Sequence, residues 1–370
     1  MFLISQDRTL GEIILKSKGP LFIVPWRCTY ACDSNCVHCI SAGQKAVSDE
    51  VDTEGAKKIV DEVYDFGATF FGVTGGQPFQ RKDLLEVIAY ARGLGLSASI
   101  ITDGRLVDQK TFEAIVKNKV RISISIDGAE KTNDVIRGKG AYAAALSAIK
   151  KFSETKLLDC LVYTFANADS DVTNVNEEDM RHVIDLARQY GARWVVFHGF
   201  IPYSNNKKSL KSDPTPKQYE WVCNRLYDLT KEYAGKPEIN IYIPFYARVA
   251  KQRGMEDFDN WFNNFFLGRC WFGKFFSLAE NGDAIPCSYN DVYRIGNVKD
   301  KSLKQIWDDM QNSDFFSKVR NKDNIKGKCG VCEFKELCGG CRTAALFYTG
   351  DILGSDPRCS YIPKALTRKK

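Results

Sequence analysis

From residue 21 to residue 197, short apolar runs rich in β-branched and aromatic residues alternate with longer stretches whose apolar positions recur at helical spacing. The runs at 21–24, 69–73, 98–101, 121–126, 161–165 and 194–197 are too short for helices and read as strands. The stretches at 54–66, 82–94, 109–118, 141–154 and 177–190 read as amphipathic helices, with Gly67 and Gly191 placed to stop the first and the last. Alternation of this kind builds βαβ units, and those units build a parallel sheet covered by helices. Six of them suit an α/β fold with a partial (β/α)6 TIM-type barrel better than a closed eightfold one.

The pattern changes after residue 200. The polar stretch 204–214 reads as a surface connection, and Pro216 suits the first turn of a helix running to about residue 233. Aromatics crowd 258–276, and beyond Cys270 the chain is rich in Gly and Cys, with one clear helix from 303 to 311 that extends toward 319. So few aliphatic residues do not make a self-sufficient core, which points to a small domain stapled by metal. The expected organisation is an N-terminal extension at 1–17, the barrel at 18–235, a bridging segment at 236–265 and a cysteine-rich, metal-stapled domain at 266–370.

Charge adds little. Lys and Arg number 52 against 46 Asp and Glu, a net +6 compatible with anionic substrates and too weak to argue for nucleic acid. No apolar run approaches the roughly 18 residues of a membrane span, and the N-terminus lacks the order of a secretory signal, so a cytoplasmic protein without membrane partners is expected. Cysteine adds much more. Thirteen thiols are many for a reducing compartment, where clustered thiols read as metal ligands or catalytic groups. Four fall within 28–39 and seven within 270–359, and only Cys160 and Cys223 stand alone. Two metal-binding regions follow, one at each end of the chain.

Cys32, Cys36 and Cys39 stand at spacings of four and three on the loop after the first strand. Three cysteine ligands on a cubane of four irons leave one iron open to something other than protein. A zinc site completed by Cys28, or a Cys/His mixture using His38, is the alternative reading of the same loop. This C-x3-C-x2-C spacing resembles the signature of the radical S-adenosylmethionine (SAM) superfamily, and further motifs follow in order. They are Thr74-Gly75-Gly76-Gln77-Pro78 after the second strand, Thr102-Asp103-Gly104 after the third, and Ser123-Ile124-Ser125-Ile126-Asp127-Gly128 with Asn133-Asp134-Val135-Ile136-Arg137-Gly138 at the fourth. The resemblance covers about 18–203.

What it implies is specific. The amine and carboxylate of SAM chelate the open iron held by Cys32, Cys36 and Cys39, and an electron from the cluster splits SAM to methionine and a 5'-deoxyadenosyl radical. Gly75, Gly76 and Pro78 form the SAM-binding turn, the glycines letting backbone approach the methionyl group. Gln77 stands where the family usually has Glu, so that its amide oxygen would accept from the SAM ammonium without the charge. By the same resemblance Ser125 faces the ribose hydroxyls, Arg137 the SAM carboxylate, and His38, at a commonly aromatic position, lies against adenine.

Cys270, Cys287, Cys329, Cys332, Cys338, Cys341 and Cys359, with Gly282 and the phrases around them, resemble the SPASM extension of one branch of that superfamily. The resemblance implies an inner auxiliary cluster on Cys270, Cys287 and Cys341 and an outer one on Cys329, Cys332, Cys338 and Cys359. The cofactors implied are SAM and three 4Fe-4S clusters, one SAM-binding and two auxiliary. A pair of structural zinc sites is the alternative, since C-x2-C is also zinc-knuckle spacing. The inner set is one thiol short, to be filled by a remote side chain, water or substrate. Cys28, Cys160 and Cys223 read as small buried hydrophobes, and His198 as a candidate for proton transfer.

The resemblance implies a radical SAM/SPASM oxidoreductase that abstracts hydrogen from an unactivated carbon and oxidatively modifies a peptide, either a ribosomal-peptide or a cofactor precursor. The alternatives are tetrapyrrole side-chain decarboxylation in haem biosynthesis and a non-enzymatic iron-sulfur electron carrier. A flavodoxin or ferredoxin is the implied electron donor. Only some 20 residues precede the first strand, so a peptide substrate would be presented by a separate leader-binding protein.

Overall fold

The computed structural model describes residues 21, 23–168, 172–202, 207–259, 262 and 270–367. The extension expected at 1–17, Phe22 of the first strand, the start of the connection at 204–214 and the middle of the aromatic stretch at 258–276 lie outside the described residues.

Seven parallel strands are neighbours in chain order: β1 Ile23–Arg27, β2 Phe70–Thr74, β3 Ser97–Thr102, β4 Arg121–Ser125, β5 Leu158–Thr164, β6 Trp194–His198 and β7 Glu238–Tyr242. Helices α1 Thr53–Asp65, α2 Leu84–Gly93, α3 Gln109–Lys117, α4 Glu130–Arg137, α5 Ala141–Ser153, α6 Glu177–Tyr190 and α7 Pro216–Glu232 occupy the crossovers. Both β1 and β6 are buried at every position, as strands covered on both faces must be. The helix starts are set by side chains that accept from otherwise orphaned backbone N–H groups. Asp52 accepts from Gly55 at the start of α1, Asn176 from Asp179 at α6, and Thr215 forms a reciprocal capping box with Gln218 beside Pro216. Gly191, at φ 70°, closes α6 in the left-handed region where a side chain would be strained.

The sheet continues past the six strands read from the sequence. β7 pairs with β6 over its whole length, from Trp194↔Glu238 to His198↔Tyr242. Only Asn240 and Ile241 of its five residues are buried at this edge of the sheet. After α8 Tyr246–Gln252, the chain reaches β8 Ser277–Leu278, which joins the opposite edge of the barrel sheet beside β1, pairing Trp26 with Leu278. The short strands β9 Asp283–Ile285 and β10 Gly296–Asn297 follow antiparallel, so one ten-stranded sheet runs from β10 to β7.

The helix read at 303–319 is two helices, α9 Leu303–Asn312 and α10 Asp314–Arg320, because Ser313 ends one and caps the other by accepting from Phe316 N–H. Two shorter helices, α11 Gly327–Gly330 and α12 Arg342–Thr349, frame the last cysteines. The cysteine-rich region is tied to the barrel by more than the sheet. Arg27 Nε donates to Glu280 at 2.6 Å and its Nη1 to Asp291 at 3.1 Å, the Leu303 N–H donates to Glu62 at 2.8 Å, and Phe276 packs against Phe66 and Trp307. No described helix is long and apolar enough to cross a membrane.

Candidate active site

The motif residues gather at the C-terminal ends of the strands, where β/α barrels build their sites. The cysteine loop leaves β1 and is pinned by backbone bonds: Cys32 N–H to Gln44 O, Gly43 N–H to Ser34 O and Val37 N–H to Ile136 O. The glycine turn after β2 docks onto this loop, with Gly76 N–H donating to Thr29 O at 2.8 Å and Gln77 N–H to Ala31 O at 2.7 Å. A Cβ at Gly76 would stand 2.1 Å from Ala31 O, and one at Gly75 would stand 3.0 Å from Thr29 O. Close approach of protein to protein therefore already requires glycine at 76, whatever ligand lies on the other side. Pro78 is buried just behind, at the start of a single 3-10 turn.

A cavity of about 230 Å³ opens at these strand ends, and Cys32, Cys36, His38, Cys39, Gly75, Gly76, Gln77, Ser125 and Arg137 all line it. Burial pushes the Cys36 thiol up to about 12 against the pull of Arg137, with Cys39 and Cys32 close enough to add to it. Cys32 and Cys39 are raised for the same leading reason. Crowded buried thiols of this kind suit a metal centre, which takes them as thiolates and supplies the opposite charge. Cys28 is fully buried, faces Pro78 O and does not line the cavity, which agrees with its reading as a small hydrophobe.

The polar residues hold one another as well. Arg137 Nε lies 2.5 Å and His38 Nε2 2.7 Å from the same oxygen of Asp127, whose carboxyl these two hold down at about 2 despite complete burial. Gln77 has both ends of its amide engaged: Oε1 accepts from Thr102 Oγ1 at 2.9 Å, and Nε2 donates to Asp103. Asp103 also accepts from Ser34 Oγ of the cysteine loop at 2.9 Å and pairs with Arg105 at 3.0 Å. Asp103 and Asp127 both stand in the motifs read from the sequence, but spacing gave no hint of what they hold.

The C-terminal thiols fall into two further cavities. Cys270, Cys287 and Cys341 line an apolar one of about 140 Å³, whose walls include Phe200, Tyr242, Phe245, Trp271, Phe272 and Arg358. Burial pushes Cys287 up to about 12, with Cys341 and Cys270 adding to it, and Cys341 up to about 11. Cys329, Cys332, Cys338 and Cys359 line a narrow cleft of about 30 Å³. Asp356, fully buried, joins the two sets: it accepts from the N–H of Cys341 at 2.9 Å and pairs with Arg358, the neighbour of Cys359. Cys160 and Cys223 are buried and line none of these three cavities.

The strand-end cavity and the aromatic cavity share Pro25, His198, Gly199, Ile201, Ser288 and Tyr289 in their walls. His198, at the end of β6, stacks on Tyr242 at 5.1 Å, and burial lowers its pKa to about 3, so the ring is neutral near pH 7. Tyr289 lies between the two thiol regions, within electrostatic range of both Cys287 and Cys39. Sequence reading singled out His198 but missed Tyr242 and Tyr289, which reach the junction from a strand it did not find and from the cysteine-rich region.

Comparison with known proteins agrees with this arrangement. Residues 26–187 match the radical SAM superfamily, and residues 270–333 match the SPASM iron-sulfur cluster-binding domain. An AdoMet-dependent heme synthase of Methanosarcina barkeri is 31% identical over 92% of this chain and 97% of its own. The mycofactocin maturase MftC of Mycolicibacterium smegmatis is 28% identical over 90% of this chain and 81% of its own. The crystal structure of Streptococcus suis SuiB bound to S-adenosylmethionine shares the fold, with a TM-score of 0.71 at 15% identity over 96% of this chain and 81% of that one. With its cysteine loop and glycine turn on a parallel barrel and its C-terminal thiols grouped around separate cavities, the chain belongs to the radical SAM superfamily, as an enzyme carrying a SPASM iron-sulfur domain.

Proposed function

We propose that this enzyme oxidatively decarboxylates propionate side chains of an iron tetrapyrrole. The observation that carries the reading is the aromatic cavity between the two thiol regions. Its aromatic walls suit one edge of a planar macrocycle, and its few polar groups suit a substrate whose charge is confined to the ends of its side chains. A peptide backbone would bring N–H and C=O groups that such walls leave unpaired. The heme synthase likeness supports the same choice and favours the tetrapyrrole alternative over the peptide substrate put first from sequence.

In this reading Cys32, Cys36 and Cys39 hold the SAM-binding cluster, which when bound supplies the electron that splits SAM into methionine and the hydrogen-abstracting radical. The propionate gives up one hydrogen atom from the carbon next to the ring, then carbon dioxide and one electron, and a vinyl group remains. Cys270, Cys287 and Cys341 stand in the cavity wall, where a cluster can take that electron. The neutral ring of His198 at the junction orients the carboxylate by a hydrogen bond without adding a charge that would hold it back from leaving. A flavodoxin or ferredoxin provides the reducing electron.

The test is anaerobic incubation of the reconstituted protein with SAM, dithionite and iron-coproporphyrin III, with vinyl products read by mass spectrometry. The mycofactocin maturase likeness favours a second reading, oxidative modification of a precursor peptide. Turnover of such a peptide with no change in the porphyrin would replace the first reading by the second.

A further inference from the structure

The two C-terminal thiol sets stand in opposite electrostatic surroundings. The cleft lined by Cys329, Cys332, Cys338 and Cys359 is also lined by three cations, Arg248, Lys328 and Lys335, and among the described residues by no carboxylate. The aromatic cavity lined by Cys270, Cys287 and Cys341 has a single cation, Arg358. Its Nε and Nη2 each donate to the buried carboxylate of Asp356 at 3.0 Å, so that its charge is cancelled where it stands.

The three cations of the cleft are not neutralised alike. Arg248 is buried against Glu220, to which its Nη1 donates at 3.1 Å, and Lys335 pairs with Asp323. Lys328 pairs with no carboxylate among the described residues; its ammonium donates to the backbone carbonyl of Cys359, which leaves its charge whole. Glu333, beside Cys332, is exposed and accepts from Tyr361 Oη at 2.6 Å and the Lys364 N–H at 3.2 Å. Lys322 lies within electrostatic range of Cys338 and Cys270 alike and so favours neither set. We propose that Lys328 fixes the order of reduction of the two auxiliary clusters, its charge raising the potential of the outer one above that of the inner one. Reduction adds negative charge, and a fixed cation beside it stabilises the reduced form. One electron lost by the substrate is then one electron gained by the outer cluster, away from the cavity where it could return to the product.

This inference rests on the reading that both C-terminal thiol sets hold 4Fe-4S clusters. The chain with Cys32, Cys36 and Cys39 all replaced by Ala, reconstituted anaerobically, should hold about eight irons. Failure to hold them would remove that reading, whereas the potentials bear on Lys328 alone. In this background a potentiometric titration followed by electron paramagnetic resonance should show two reduction steps. Lys328→Gln keeps an N–H donor for the Cys359 carbonyl and removes the charge. The higher step should fall by on the order of tenfold in its equilibrium constant, about 59 mV for one electron, while the lower step stays in place. Lys328→Arg should keep the parental potential, a rescue by charge that a merely structural role does not give. Glu220→Gln frees the charge of Arg248 and should move the higher step upward.

A single reduction step in the parent overturns the proposed order. So does a higher step that Lys328→Gln leaves unmoved, a shift confined to the lower step, or an equal shift of both. Should Lys328→Gln fail to hold iron, Glu220→Gln decides: an upward shift of the higher step supports control by the cations of the cleft, and an unmoved step overturns it.

Discussion

The two thiol regions are built on opposite principles. Around Cys32, Cys36 and Cys39 the scaffold is complete without metal: strands buried on both faces, capped helices, and a cysteine loop and glycine turn joined backbone to backbone. Around Cys329, Cys332, Cys338, Cys341 and Cys359 the strands are two or three residues long, and the backbone is held by turns and side-chain contacts, such as Cys329 N–H to Ser355 Oγ, Cys341 N–H to Asp356 and Gly340 N–H to Cys338 Sγ. The first region is therefore expected to keep its shape when its ligand exchanges. The second, with few aliphatic residues, is expected to draw more of its stability from the metal its thiols hold.

Removal of iron is the strongest way to break this contrast. Structural metal sites in small domains are worth on the order of 10 kcal/mol, so anaerobic chelation should unfold the segment 327–359 while β2 to β5 stay folded. Hydrogen exchange read by mass spectrometry checks it. Equal protection of both segments after chelation would make the C-terminal region as self-sufficient as the barrel.

Next in size is the pair Cys39→Ala and Cys28→Ala. The first should abolish 5'-deoxyadenosine formation under dithionite, and the second should leave it intact at a stability cost of about 1 kcal/mol, as for a small buried side chain. The reverse pattern would move the metal site onto Cys28.

Asp356→Ala should cost about 3 kcal/mol, because it leaves buried Arg358 with only the more distant Asp213 carboxylate, at 4.0 Å. It should also loosen iron on the C-terminal thiols before iron on the barrel, since it frees the N–H of Cys341. Stepwise iron release to a coloured chelator reads both; release in a single step would show that Asp356 does not separate the regions.

The smallest effect sharpens the barrel side. Burial holds the Glu238 carboxyl up at about 7 from an ordinary 4.5, at the start of β7. The unfolded chain ionises first, so stability falls as pH rises from about 4.5 to 7, and the penalty is complete above that window. Glu238→Gln should therefore stabilise the protein by about 1 kcal/mol at pH 8, allowing for partial solvent exposure, and by nothing at pH 4. Equal unfolding temperatures at both pH values would show that this carboxyl is not penalised.

The same contrast explains what the sequence made legible. The six strands are read from short stretches of apolar residues, continuous in β1 and β6 and alternating with serine in β4; β7 alternates too, but at the sheet edge only two of its residues are buried, and it goes unread. Cys32, Cys36 and Cys39 and the pairs Cys329/Cys332 and Cys338/Cys341 stand out because they are neighbours in sequence, whereas the grouping of Cys270 and Cys287 with Cys341 comes from the family resemblance. Gln77 and Asp103 are 26 positions apart on different strand ends, and His198, Tyr242 and Tyr289 meet from three separate elements. Contacts of that kind depend on how strand ends converge, which spacing along one segment does not encode.

The pairing of β1 with β2 on one side and β8 on the other has a mechanical consequence. Trp26 is in register with both Val73 and Leu278, and Arg27, the next residue, leads into the cysteine loop on one side and reaches Glu280 and Asp291 on the other. One strand thus serves as a shared ruler. The span from the barrel thiols to the start of the cysteine-rich region is measured in hydrogen-bonded ladder steps, not in the slack of a linker. Movements of the two regions at this joint are coupled, and a hinge between them has no free strand edge on which to turn.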